Sequence, residues 1–244
     1  MAGALGRLDR RALLAAAAVA AGGAVAWRVS RRPALPELAA RREGDLVFLE
    51  SAGTADLSRS LDIGMPGETA DEPRAEVDRA ALEVPAAAQI LGDAGPAFVA
   101  FLDYRCVACR RHADALLAGA RGGRFRLLVR DWPILGDPSV LAARAALAAA
   151  AQDAYWAFHA DLMRTGFVPN MGLVDELAER HGLDRPRLRA DMAGAAVDRD
   201  LARNAELARA LGGIGTPLYA IDGVVVTGAW EPSTLLRLAE RHAA

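Results

Sequence analysis

The chain has no lysine, and all 29 of its basic residues are arginine. The bias suits the coding of a GC-rich genome, but it has a chemical consequence. Schiff-base chemistry on a lysine amine and phosphate binding by a P-loop lysine are both excluded. Cysteine is almost as scarce, with two residues in 244. Excess charge is lacking too. A net charge of −2 gives no general attraction to nucleic acid or to an anionic membrane, so no nucleic-acid partner is expected. What is there is ordinary globular material. A hydrophobic content of 53% with 25% charge, at this length, fits one full domain with appendages or two small domains.

The first thirty residues differ from the rest. Arg7, Arg10 and Arg11 precede an uncharged run from Ala12 to Trp27, and Ala24-Val25-Ala26 offers a small-x-small cleavage site. This is the layout of an export signal. As a helix the run would span about 24 Å, short of the hydrocarbon core of about 30 Å, which favours a cleaved signal over a membrane anchor. Asp9 to Leu14 resembles the twin-arginine export signal, without its usual serine or threonine before the arginines and phenylalanine after them. Arg28, Arg31 and Arg32 flank the other end of the run, so charge does not set an orientation. Residues 31–90 read as an extended linker rich in Arg, Pro, Glu, Asp and Gly. Its apolar patch Leu46-Val47-Phe48-Leu49 suits an extra edge strand, and its acidic stretch Gly67 to Pro73 suits a solvated loop.

From about Leu91 to the C-terminus the pattern is regular. Phe98 to Leu102 predicts a strand, the segment after Cys106 a helix, and Phe125 to Arg130 a second strand closed by Trp132-Pro133. Helical spacing then recurs from about residue 138 to 212, with breaks near Asp153, Gly166 to Asn170, Gly182 to Pro186 and Gly194. Leu218 to Ile221, the turn Asp222-Gly223 and Val224 to Thr227 predict a hairpin, and a helix from Pro232 to about His242 closes the chain. A βαβ crossover needs only about 30 residues, so the long helical stretch forms a subdomain of its own.

Both cysteines, Cys106 and Cys109, fall where the first predicted strand meets its helix. Unpaired backbone N–H groups and the helix dipole at such an N-terminus lower a thiol pKa from about 8.5 toward about 3.5 to 7.5. Cys109, three residues on, lies on the same helical face and can close onto the sulfur of Cys106. A disulfide kept for stability is weakly motivated, since so short a loop gains about 1.9 kcal/mol against about 4.7 for a loop of about 100 residues. A closed zinc site needs four ligands, and the pair supplies two. A Cu(I) site completed by His112, His159 or His181 stays open. Beside a βαβ pattern, the spacing points to a thioredoxin-like redox motif.

Three stretches carry a family resemblance: Phe101 to Cys109, Arg130 to Gly136, and Gly213 to Gly223 with its Thr216-Pro217. Together they resemble the DsbA-like thiol-disulfide oxidoreductases of the bacterial envelope, over the chain from about Leu91 onward. The resemblance implies an α/β, thioredoxin-like fold with an inserted helical subdomain, and a cis-Pro217 facing the cysteine pair with Thr216 presenting backbone groups to substrate. It implies no cofactor and no metal. Its implied partners are cysteine-containing substrate proteins and a membrane redox partner, and its implied location is the periplasm or cell envelope. One departure stands out, because Val107-Ala108 lies where the best-known members carry Pro-His. Neither side chain can support a thiolate. Arg105, Arg110 and Arg111 are candidates to substitute electrostatically, and Asp103 is a candidate to relay protons to Cys109.

The expectation from sequence is an exported oxidoreductase that exchanges a Cys106–Cys109 disulfide with substrate cysteines, most simply as an oxidant. A reductase or isomerase, and a Cu(I)-delivery module, are the alternatives.

Overall fold

A computed structural model describes residues 39–43, 46–50, 89–228 and 230–241. The expected export segment and most of the expected linker lie outside these residues. Seven strands run in the order β1 Ala39–Glu43, β2 Leu46–Glu50, β3 Gln89–Leu91, β4 Ala97–Leu102, β5 Arg126–Asp131, β6 Leu218–Ile221 and β7 Val224–Thr227. The helices are α1 Val107–Arg121, α2 Asp137–Ala150, α3 Tyr155–Arg164, α4 Met171–Arg180, α5 Arg185–Met192, α6 Ala195–Ala210 and α7 Pro232–Arg241.

The strands form one sheet in the order β1-β2-β7-β6-β4-β5-β3. β4 lies near its centre and is buried along its whole length, which is why it reads as a continuous apolar run. It pairs in parallel with β5 through the crossover helix α1, and antiparallel with β6. Alternate residues of β4 serve opposite faces. Val99 and Phe101 pack with Leu128, Trp132, Leu218, Val225 and the Ala208 side of α6. Phe98 points the other way, its ring centre 4.8 Å from that of Phe125 and 5.5 Å from that of Tyr219. The hairpin turn has positive φ at both Asp222 (46°) and Gly223 (85°), the twist a two-residue turn between right-twisted strands requires.

The apolar patch predicted as an edge strand is β2, which is not the edge. It pairs in parallel with β7 and is flanked by β1 on its other side. β1 escaped the sequence reading because its Ala-Ala-Arg-Arg-Glu has no apolar alternation, and β3 because it is only three residues long. Between β5 and β6 run the five helices α2 to α6, and their ends fall at the predicted breaks.

Polar contacts join this helical segment to the sheet. The Tyr104 hydroxyl lies 2.9 Å from His159 Nδ1 on α3, and the Tyr155 hydroxyl donates to Asp131 Oδ2 at 3.0 Å. Asn204 of α6 donates to the Asp131 carbonyl at 3.1 Å and accepts from Arg130 at 3.4 Å. All six side chains are buried. Asp131 Oδ1 has no hydrogen-bond partner among the described residues. Burial, with the neighbouring Asp103 carboxylate adding to it, raises the Asp131 carboxyl to about 7 even though Tyr104 and Tyr155 act in the opposite sense.

A carboxyl raised in the folded state stabilises the fold fully below its unfolded value of about 3.9, and that contribution is lost as pH rises through the folded value. A folded value of about 7 makes this loss on the order of 4 kcal/mol at most. Asp131→Asn should therefore gain stability over the wild type between pH 5 and pH 8, measured by urea denaturation at both pH values. A constant difference between the two proteins across that range would contradict the burial of a protonated Asp131.

Candidate active site

The site begins at the end of β4, where the chain must leave the sheet and enter α1. Asp103 fixes that turn. Its carboxylate is fully buried and accepts four hydrogen bonds: from Arg105 N–H (2.7 Å), Ile134 N–H (2.8 Å), Leu135 N–H (3.0 Å) and the Ser139 hydroxyl (2.7 Å). One side chain thus holds the entry to α1, the loop after β5 and the first turn of α2. The Arg105 guanidinium strengthens the same junction by donating to Leu135 O at 2.6 Å.

Cys106 is the N-cap of α1, with extended backbone (φ −68°, ψ 117°). Its sulfur accepts the Cys109 N–H at 3.1 Å, taking the position that a serine or aspartate oxygen holds in an ordinary cap. It also lies 3.4 Å from Thr216 O, across the gap between α1 and β6. The Thr216–Pro217 peptide is cis. The structure therefore brings Cys106, Cys109, Thr216 and Pro217 together, as the sequence leads one to expect.

Both cysteines are thiols here, and their environments pull them apart. A hydrogen bond from the Cys109 thiol is the largest influence on Cys106. Partial burial opposes it, while the Cys109 and Ala108 N–H groups and Thr216 assist it, and the Cys106 thiol settles at about 6. Cys109 has no exposed surface, and burial first, then the Cys106 sulfur, pushes its thiol far up. Its partial compensation comes from the Asp103 backbone and from Thr216. Cys106 is the nucleophile that this arrangement can supply at neutral pH, and Cys109 is the protected partner.

The support for the Cys106 thiolate is not where the arginines suggested. Arg105 is directed to Leu135 O and Arg110 Nε to Met163 O at 3.0 Å, and neither is among the groups that act on the sulfur. Backbone N–H groups and the second cysteine take that part, so the side chains of Val107 and Ala108 need contribute nothing. The Asp103 carboxylate has all its contacts in the loop clamp, and only its backbone acts on Cys109. Among the described residues, no group of three or more His, Cys, Asp and Glu side chains is arranged to hold a metal. His112 and His159 are each bonded to a tyrosine, and His181 Nε2 to Asp161 at 2.9 Å.

Near the pair, the sequence marks His112 only as a possible metal ligand, and it does not single out Tyr219. His112 Nδ1 and the Tyr219 hydroxyl are 2.6 Å apart, both buried, on α1 and β6. A histidine three residues after a cysteine on one helical face is a usable signal. The tyrosine, 107 positions away, becomes visible only through the antiparallel pairing of β4 with β6.

A family model for the DSBA-like thioredoxin domain matches residues 126–239, a span that begins after the cysteine pair and so owes nothing to it. Among solved structures, a thioredoxin-like oxidoreductase from Silicibacter pomeroyi is 37% identical, over 68% of this chain and 97% of that one, with a TM-score of 0.62. The catalytic domain of Proteus mirabilis ScsC is 25% identical, over 67% and 93%, with a TM-score of 0.61. The thiol-disulfide exchange protein alpha-DsbA2 from Wolbachia pipientis is 24% identical, over 63% and 86%, with a TM-score of 0.59. No curated protein matches the chain.

Titrating the reduced protein by thiolate absorbance should give a first midpoint near 6. Cys109→Ala should move it upward, toward the ordinary value of about 8.5, whereas Cys109→Ser, which keeps a hydrogen-bond donor, should move it less. An unchanged midpoint in Cys109→Ala would show that the second thiol does not stabilise the first.

Proposed function

Because this chain belongs to the family of DSBA-like thioredoxin-domain thiol-disulfide oxidoreductases, we propose that it acts as an exported oxidant of cysteine-containing proteins. The observation that carries this reading is the asymmetry of the pair: a capped, stabilised Cys106 thiolate beside a deeply buried Cys109. A stabilised thiolate favours the reduced enzyme, and an enzyme stable when reduced gives its disulfide away readily.

In the proposed cycle a substrate thiolate attacks Cys106 Sγ of the oxidised enzyme. The Cys106–Cys109 bond breaks and its electron pair leaves on Cys109 as a substrate–Cys106 disulfide forms. A second substrate thiolate then displaces Cys106 as thiolate and carries away the new disulfide. Both enzyme sulfurs are now reduced, and a membrane redox partner reoxidises them. Thr216 O lies 3.4 Å from Cys106 Sγ and precedes cis-Pro217, which supports a reading in which Thr216 presents backbone groups to an extended substrate chain. The exposed side chains of Val107 and Ile214 flank these residues in sequence and offer apolar contact to an unfolded segment. Asp103 and Arg105 act on the pair by holding its loop, and the Asp103 backbone supports Cys109.

Export belongs to the proposal for a chemical reason. A pair of this kind is kept oxidised outside the cytosol, where thiol reductants do not hold it reduced. Residues 1–30 supply the proposed signal or anchor, 31–90 the linker with the two added strands, and 91–244 the oxidoreductase domain.

Cys106→Ser should abolish dithiol oxidation, and Cys109→Ala should accumulate a mixed disulfide at Cys106 that mass spectrometry of the quenched reaction detects. Full activity in Cys106→Ser would overturn the assignment of the nucleophile.

A further inference from the structure

Two stretches of the helical segment leave large apolar side chains in water. Ile134 and Leu135 in the loop after β5, and Phe167, Val168 and Met171 from the α3–α4 connection into α4, are all exposed. Clustered exposure of this kind marks a contact surface. Both stretches run into the walls of one groove of about 550 Å³, formed by Pro138, Val140 and Leu141 of α2 together with Pro169 and Met171. Arg144 and Met171 also border a second hollow of about 530 Å³ that reaches Met192 at the end of α5, so the groove continues along α2.

The arginines at its rim are already engaged. Arg144 donates to Met192 O at 2.7 Å and pairs with Asp198, and Arg189 pairs with Asp175, so neither offers a free charge to an acidic ligand. What remains is apolar surface. Met171 and Met192 add unbranched thioether side chains, which adapt to occupants of different shape. The groove is also tied to the reactive end of the molecule. The Asp103 carboxylate, three residues before Cys106, binds Ile134 N–H, Leu135 N–H and the Ser139 hydroxyl of α2, and Arg105, next to Cys106, donates to Leu135 O. From that anchor α2 carries the wall away at about 1.5 Å per residue, so Asp137 to Arg144 covers about 10 Å, the reach of about three extended residues.

We propose that this groove docks the substrate polypeptide whose cysteine is bonded to Cys106, taking a large apolar side chain a few residues from that cysteine. The inference rests on the oxidoreductase reading above and adds what the substrate must carry. Continuity with the loop that holds Cys106 selects this occupant, because a chain tethered at the sulfur has its neighbouring residues within reach of the groove. A folded protein keeps such side chains inside, so the substrates are chains that have not yet buried them.

The test uses full-length Cys109→Ala protein carrying glutathione on Cys106. A peptide thiolate bonds to Cys106 Sγ and glutathione leaves as its thiolate, and mass spectrometry of the quenched mixture gives the exchange constant. Peptides with one leucine about four residues from their only cysteine, before or after it, are compared with the same peptides carrying serine there. The leucine form should be favoured by about tenfold in at least one arrangement, the factor that partial burial of one such side chain supplies. Met171→Glu puts charge into the groove at the first position of α4, where a helix tolerates an acid, and should bring that ratio to about one. Met171→Leu should keep it. The ratio is taken on one protein at a time, so a general loss of reactivity does not imitate the effect. An undiminished ratio in Met171→Glu, or no preference for leucine in either arrangement, would overturn the docking site. So would a dimer at assay concentration that Met171→Glu disperses, which would assign the groove to a second copy of the chain. Failure of even the serine peptides to exchange would overturn the oxidoreductase reading instead.

Discussion

Two sulfur atoms three residues apart in a buried site cannot both carry a negative charge, and the rest of the site follows from which of them does. The hydrogen bond between the thiols acts with opposite sign on its partners, lowering Cys106 and raising Cys109. Position breaks the tie. Cys106 caps the helix, where backbone N–H groups point at its sulfur, and Cys109 sits one turn inside, with no exposed surface. Two identical side chains thus come to differ, with the Cys106 thiol lowered and the Cys109 thiol raised. No third residue has to contribute charge, which explains how a pair separated by Val107-Ala108 still holds a thiolate.

That asymmetry survives only if the N-terminus of α1 stays where it is, and the Asp103 carboxylate holds it. Hydrogen bonds to a charged group contribute about 1.5 to 3 kcal/mol each, so a carboxylate with four of them is costly to dislodge. The four donors come from three places: the start of α1, the loop after β5, and α2. Behind this clamp the buried contacts of Tyr104, Asp131, Tyr155, His159 and Asn204 register the helical segment against the sheet. The price of that registration is a carboxyl, Asp131, raised by burial to about 7. The loop before α1 has its polar groups hydrogen-bonded through Asp103.

Much of this was legible in the chain. β4 and β5 read as apolar runs, the Asp222-Gly223 hairpin as a turn signal, and the helical breaks as glycine, proline and aspartate positions. Each is a local property. The cysteine spacing and Thr216-Pro217 were visible in the sequence, and the fold brings Cys106 Sγ to within 3.4 Å of Thr216 O. The illegible parts are non-local or lack a pattern. β1 carries two arginines and a glutamate and is a strand only because β2 offers it a free edge. The roles of Asp103 and Arg105 depend on loop carbonyls and amides about thirty residues away. The contact of His112 with Tyr219 depends on a strand pairing across more than a hundred residues.

The central claim is that stabilising the Cys106 thiolate makes the enzyme a donor of disulfides, and its reduction potential tests this directly. Equilibrating Cys106–Cys109 with glutathione should give a value more positive than about −230 mV, on the oxidising side of the thioredoxin value of about −270 mV. A value more negative than about −230 mV would contradict the account and make the protein a reductase that draws electrons from across the membrane.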